Sequence, residues 1–166
     1  MRSVFKNILL ITVFCVPSLA QAGVVLDVSL GQSVAITPAK FGKAETTSLM
    51  LAPGWAFSDA IDLTLGFAGT LDAENEGVLD LDVRTNLTLS PQASPLYGRI
   101  ILAVLGVLEG ASRPAIGAAF GSSLKLQDLN LFGEFSFIPY GGDKNSSGEP
   151  ILKYPLELRF GVRFNF

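Results

Sequence analysis

Asp80 and Asp82 are the nearest approach in this chain to a catalytic pair. Residues two apart in an extended segment share a face, so two carboxyls there could divide the roles of acid and base. Arg84 continues the same face, however, and the trio reads better as structural ion pairs. The usual partners for catalysis are missing. The 166 residues contain no histidine, which removes Ser–His and His–Asp nucleophilic chemistry and the histidine-based metal sites. The single cysteine, Cys15, lies in an apolar stretch near the start, so neither a disulfide nor thiol chemistry is expected beyond it. The run Asp72-Ala73-Glu74-Asn75-Glu76-Gly77 offers oxygens that could hold calcium weakly, but a solvated loop accounts for it better. The expectation is a protein with no catalytic activity, no cofactor and no metal, so the charged residues need another purpose.

The elements that carry those charges supply one. Leu156, Leu158, Phe160, Val162, Phe164 and Phe166 alternate with Glu157, Arg159, Gly161, Arg163 and Asn165. Side chains of a strand point to opposite faces with a period of two. This segment is therefore a strand between two different solvents, with an aromatic face on one side and three charges on the other.

At the other end, Arg2 and Lys6 precede an apolar stretch from Ile8 to Val16, followed by Pro17 and the small-residue site Ala20-Gln21-Ala22. That is the layout of a secretory signal peptide over residues 1–22, cleaved before Gly23. Its apolar core is too short for a membrane-spanning helix, which takes about 20 residues. The remaining residues, 23–166, suffice for one domain. Without Arg2 and Lys6 the 12 basic residues become 10 against 15 acidic, a net charge of −5. That balance argues against a nucleic-acid partner. Mean hydropathy is high at +0.45, yet the longest apolar run, Ile100 to Leu108, has only nine residues. High hydropathy without long apolar runs is what a chain shows when its apolar residues sit at alternate positions, as in transmembrane barrels.

The alternation recurs seven more times. The first strand is expected over 24–36, the second over 47–57, the third over 61–71 and the fourth over 79–89. The fifth is expected over 97–108, the sixth over 115–126 and the seventh over 129–138, with the eighth closing the chain. Lengths of 10 to 13 residues suit the roughly 9–11 that a tilted strand needs to cross a bilayer core. An even count puts both ends on one side. The longest connections, after the first and seventh strands, then fall together on the opposite side. Backbone groups in lipid must all be paired within the protein, so the sheet has to close. Two features depart from the pattern. Pro53 lacks the N–H that the second strand needs, and the fifth strand is apolar on both faces, leaving its orientation open.

The terminal segment Arg159-Phe160-Gly161-Val162-Arg163-Phe164-Asn165-Phe166 resembles the signal that bacterial outer-membrane barrels present to their assembly machinery. Arg159, Gly161, Phe164 and Phe166 carry that resemblance. In pattern and length, the chain from Gly23 onward resembles the small eight-stranded family that includes OmpX and the membrane domain of OmpA. The resemblance implies an all-β, eight-stranded antiparallel up-and-down transmembrane barrel in the bacterial outer membrane, monomeric and embedded in outer-membrane lipid.

On this fold the inward charges are Asp27, Asp62, Asp80, Asp82, Glu134 and Glu157 against Arg84, Arg99, Lys125, Arg159 and Arg163. A barrel of this size has room only for side chains. The expected arrangement is a salt-bridged plug with a structural, envelope role. A narrow channel or conduit for small ions or apolar solutes is the alternative, and a surface adhesion module the second. Ala115, Gly117, Ala119 and Gly121 would face inward opposite the apolar fifth strand, either accommodating bulky neighbours or leaving an apolar pocket. Lys40 and Lys43 in the first outer loop and Lys144 and Lys153 in the last are candidates for lipopolysaccharide contact, since basic groups attract anionic lipid heads. Trp55, Phe57, Tyr97, Phe166, Tyr140 and Tyr154 fall where interfacial aromatic girdles belong. A soluble sandwich or lipocalin-like barrel remains the alternative fold.

Overall fold

A computed structural model of the chain describes residues 23–35, 44–72, 79–91, 94–108, 112–126, 129–144, 150–153 and 155–166. Residues 1–22, read above as a signal peptide, the acidic run beyond Asp72, Lys40, Lys43 and Tyr154 lie outside the described residues.

Among the described residues ten strands follow in order: β1 Gly23–Ala35, β2 Ala44–Ser58, β3 Ile61–Asp72, β4 Leu79–Leu89, β5 Leu96–Leu105, β6 Arg113–Leu126, β7 Leu129–Phe137, β8 Tyr140–Lys144, β9 Pro150–Lys153 and β10 Pro155–Asn165. Eight of them close into one barrel with neighbours in the order β1-β10-β7-β6-β5-β4-β3-β2. The seam is made by the terminal strand: β10 pairs antiparallel with β1 from Val25↔Asn165 to Ala35↔Pro155. Each of the eight strands thus pairs with a neighbour on both sides, the way a sheet satisfies its backbone in hydrocarbon.

The two faces of the wall differ as the period-two pattern requires. Along β4, Asp80, Asp82, Arg84, Asn86 and Thr88 are buried in the lumen, while Leu79 and Leu89 are exposed. Leu30, Leu51, Phe67, Ile116, Phe120, Phe135 and Phe160 are likewise exposed on the outer face. This pattern excludes the soluble-barrel alternative, because the large apolar side chains cover the outside and the charges fill the inside.

Two details differ from the sequence-based expectation, and two settle what it left open. The fifth strand places Tyr97, Arg99, Ile101 and Ala103 inward and Ile100, Leu102 and Val104 outward. Periodicity could not choose between these faces, but pairing with β4 does, through Thr88↔Arg99 and Arg84↔Ala103. Strand β5 also stops at Leu105 rather than Leu108. Gly106 turns the chain with φ of 72°, a left-handed conformation that glycine adopts without steric cost. The long seventh connection carries its own hairpin, β8 with β9, paired through Tyr140↔Lys153 and Gly141↔Leu152. Finally, Pro53 requires no bulge. The β2–β3 ladder drops its pairs at Ala52 and Pro53 and resumes in the same register, from Leu51↔Phe67 to Gly54↔Thr64. Pairing to β1 continues through Leu26↔Pro53.

Gly54, next to that interruption, lets β2 and β3 approach closely. A Cβ added there would lie 2.7 Å from Thr64 Cα and would strike the Leu63 carbonyl oxygen. Gly54→Ala is therefore expected to lower stability by about 1–3 kcal/mol through overpacking, read from urea unfolding in lipid vesicles. An unchanged midpoint would mean that the two strands are not held this close.

Candidate functional site

The lumen holds two clusters of charge stacked along the barrel axis. The cluster nearer the long connections is built on Arg84 of β4 and Arg159 of β10. Arg84 Nη1 reaches Glu157 Oε2 of β10 at 2.5 Å, and its Nη2 reaches Asp82 Oδ2 at 3.1 Å. Strands β4 and β10 are four places apart in a ring of eight, so the Arg84–Glu157 pair crosses the full diameter of the bore. Arg159 pairs with Glu157 from the same face of β10. It also donates to Ser29 Oγ at 3.0 Å and Ser48 Oγ at 2.9 Å, while Ser48 donates to Glu157 Oε1 at 2.9 Å. Ser136 Oγ lies 3.3 Å from Glu157 Oε2. Arg159 has 0% of its surface exposed, so its charge depends entirely on these partners.

The second cluster, nearer the short turns, is built on Arg99 of β5 and Arg163 of β10. Arg163 forks onto Asp27 at 2.6 and 2.8 Å and reaches Asp62 Oδ2 at 2.5 Å. Arg99 spans the bore in its turn. Its Nη2 lies 3.4 Å from Asp27 on β1, four places round the ring, and its Nη1 lies 3.0 Å from Glu134 on β7. Arg99 Nε donates to Thr88 at 3.1 Å. The guanidinium also stands 5.4 Å from the Tyr97 ring centre and 5.9 Å from that of Phe132, within cation–π range.

The structure brings together Asp27, Asp62, Asp82, Arg84, Arg99, Glu134, Glu157, Arg159 and Arg163 as lumenal ion pairs. Two expected members are placed elsewhere. Asp80 is buried, but its Oδ1 accepts the main-chain N–H groups of Leu81 at 2.7 Å and Leu108 at 2.9 Å. It anchors backbone rather than an arginine, because the kink at Gly106 brings Leu108 over it. Lys125 is exposed at the turn end of β6 and forms no ion pair among the described residues. The two clusters therefore join five carboxylates and four arginines among the described residues. Asp82 thus gives one oxygen to Arg84 and the other to the Gly106 N–H, while Asp80 Oδ1 serves two backbone N–H groups.

Other expectations resolve similarly. Tyr97 is not a girdle residue: it is 5% exposed, points into the lumen and donates its hydroxyl to Glu134 at 2.9 Å. Trp55 and Phe166 do face outward. The small residues of β6 leave no apolar pocket among the described residues. A Cβ on Gly117 would meet Ile138 Cγ1 at 2.7 Å, and one on Gly121 would meet the Tyr97 hydroxyl at 2.6 Å. Ile138, Ile101, Ala103, Ala115 and Ala119 form a filled apolar cluster there. Gly161 has a packing reason too, since an added Cβ would strike Phe132 and the Val28 carbonyl. Lys144 and Lys153 stand on β8 and β9 with side chains outside the described residues.

Sequence reasoning missed the hydroxyls of Ser29, Ser48, Thr88 and Tyr97 as ligands of the arginines. Each lies on an inward position, but which charge it serves depends on strand register. It also missed a cavity of about 1100 Å³ at the turn end, lined by Ser58, Asp62, Ser90, Lys125, Asn130 and Asn165 among others. Arg163, Arg99, Tyr97 and Phe132 also line it, and their lumenal contacts make them its floor.

No family model and no characterised protein sequence matches the chain. Neisserial surface protein A, NspA, superposes over 87% of this chain and 97% of its own, with a TM-score of 0.58 and 14% identity. A de novo designed transmembrane β-barrel superposes over 87% of this chain and 95% of its own, with a TM-score of 0.52 and 13% identity. The fold is that of a small transmembrane β-barrel. At these identities the likeness concerns fold alone, and no ligand or partner is carried across.

Breaking a buried ion pair from one side leaves a charge stranded in a low-dielectric interior. Arg163→Met, which strips Asp27 and Asp62 of their forked partner, is expected to cost about 3–5 kcal/mol in urea unfolding. Adding Asp62→Asn should recover part of that loss. A double variant with the summed losses of the two single changes would show that the pair is not coupled.

Proposed function

We propose that this protein is an integral outer-membrane barrel whose bore is held shut from within, serving the envelope as a structural element rather than as a transporter or enzyme. One observation carries the reading. At two levels, Arg84–Glu157 and Arg99–Asp27, an ion pair joins diametrically opposed strands. A path for water would have to pass a bore crossed twice by side chains in contact. The cavity at the turn end favours the alternative, a narrow ion path, because it lets solvent approach Arg163. Arg163 and Arg99 line it, and the ion pairs they make inside the bore stand between it and the far end.

The signal peptide at 1–22 would deliver the chain across the inner membrane, and Arg159, Gly161, Phe164 and Phe166 would present it to the barrel assembly machinery. Short turns then face the periplasm, and the β8–β9 hairpin faces outward as the place for contact with other molecules. Lys144 and Lys153 belong to that hairpin, and with Lys40 and Lys43 of the β1–β2 connection they would suit the phosphates of lipopolysaccharide. Nothing favours a specific adhesion partner, and the closed seam between β1 and β10 suits a monomer.

Envelope fractionation tests the location. The protein should stay with outer membranes through a urea wash and leave only with detergent; release by the wash alone would contradict it. Replacing the four lysines with glutamine should weaken binding to lipopolysaccharide vesicles by at least about tenfold, given roughly 1 kcal/mol per basic residue at an anionic surface. Unchanged binding would remove lipopolysaccharide from the proposal.

A further inference from the structure

The kink after β5 is tied to the lumen by an unusual set of bonds. Gly106 is buried, and its N–H donates to Asp82 Oδ1 at 3.2 Å. The Val107 N–H donates to the Leu81 carbonyl at 2.9 Å, and the Leu108 N–H to Asp80 Oδ1 at 2.9 Å. Three successive main-chain donors are thus held by β4, two of them by carboxylates that project into the bore. Asp82 is shared. Its other oxygen, Oδ2, belongs to Arg84, whose second amino group reaches across the lumen to Glu157.

We infer that Gly106–Leu108 form a strap at the loop end of the barrel, and that its docking is controlled by Arg84 through competition for Asp82. In the observed arrangement Glu157 draws one arm of the guanidinium across the bore, so Arg84 takes only one oxygen of Asp82. The other stays with the strap. Arg84 Nε, buried and without an acceptor among the described residues, is a spare donor for a second arrangement. If Glu157 lets go, Arg84 folds back on Asp82 and satisfies its planar fork with both oxygens, the geometry a guanidinium prefers with a carboxylate. The Gly106 N–H, already 3.2 Å from Asp82 Oδ1, must then share that oxygen with a charged donor, and the strap leans more heavily on Asp80 and Leu81. A glycine at φ of 72° makes this joint free to move, since no Cβ fixes it in either state. Glu157 on one wall and the strap on the opposite wall are thereby linked through a single side chain with two discrete arrangements, which is what coupling between distant sites requires. The link does not depend on whether the bore conducts.

The test is amide hydrogen exchange on the signal-free protein, residues 23–166, refolded in lipid nanodiscs. Glu157→Gln removes a charge that never touches the strap, and it should raise exchange at Gly106 at least about tenfold. Amides in the middle of the β3–β4 ladder should stay protected. Leu108, still held by Asp80, should change less. Adding Arg84→Gln to Glu157→Gln removes the competitor, so protection at Gly106 should return. An unchanged Gly106 in the single variant would overturn the coupling. So would equal loosening in the double variant, because loosening without Arg84 is generic destabilisation. Should Glu157→Gln not refold, Glu157→Asp shortens the reach by one methylene and is read the same way, with a rise at Gly106 of at least about threefold and its absence decisive against the link.

Discussion

An eight-stranded barrel is just wide enough for its own side chains, and a charge inside it must find an opposite charge or hydrogen-bonding partners in the wall. Most of what distinguishes this chain follows from that constraint. Four arginines enter the lumen, and each finds carboxylates within ion-pair distance. Two of them, Arg84 and Arg99, reach strands on the far side of the ring. The plug is therefore also a set of cross-braces, and the wall cannot widen at either level without stranding a buried charge.

The wall and the plug depend on each other. Closure between β1 and β10 sets Asp27 opposite Arg163 and Gly31 opposite Arg159, which is how the terminal strand comes to carry half of the lumenal arginines. Hydroxyl groups then complete what carboxylates leave undone: Ser29 and Ser48 serve Arg159, Thr88 serves Arg99, and Tyr97 serves Glu134. Small residues on β6 and β10 make room for this filling. Gly121 accepts the Tyr97 ring, Gly117 accepts Ile138, and Gly161 lies against Phe132. Arg159 and Gly161, read in the sequence as parts of an assembly signal, thus have structural duties in the folded barrel, whatever else they do during insertion.

Much of the wall was legible because lipid on one side and packed charge on the other impose a period of two on every strand. The fourth strand was placed residue for residue, Leu79 to Leu89. Inward placement of the charged residues followed from the same rule. The fifth strand resisted it, since Ile101 and Ala103 face a lumen whose wall is apolar there, so both faces read alike. Of the charge pairings, Asp82 with Arg84, two apart on one face, was legible; those between strands were not. Arg84 finds Glu157 and not Glu134 because of strand register and the stagger of a closed ring, neither of which is written in local spacing. Asp80 looked identical to Asp82, and their fates diverge only because a glycine turns the chain at Gly106. Lys125 shares the inward parity of its strand, yet it lies past the packed lumen, at the open turn end.

The decisive measurement is single-channel recording from the refolded barrel, residues 23–166, in a planar bilayer, with insertion verified independently. A bore crossed by Arg84–Glu157 and Arg99–Asp27 predicts silence from the unaltered protein, and openings only when both cross-bore pairs are removed, in Arg84→Ala/Glu157→Ala/Arg99→Ala/Asp27→Ala. Steady openings from the unaltered protein would contradict the closed bore and turn these same residues into the lining of a pore.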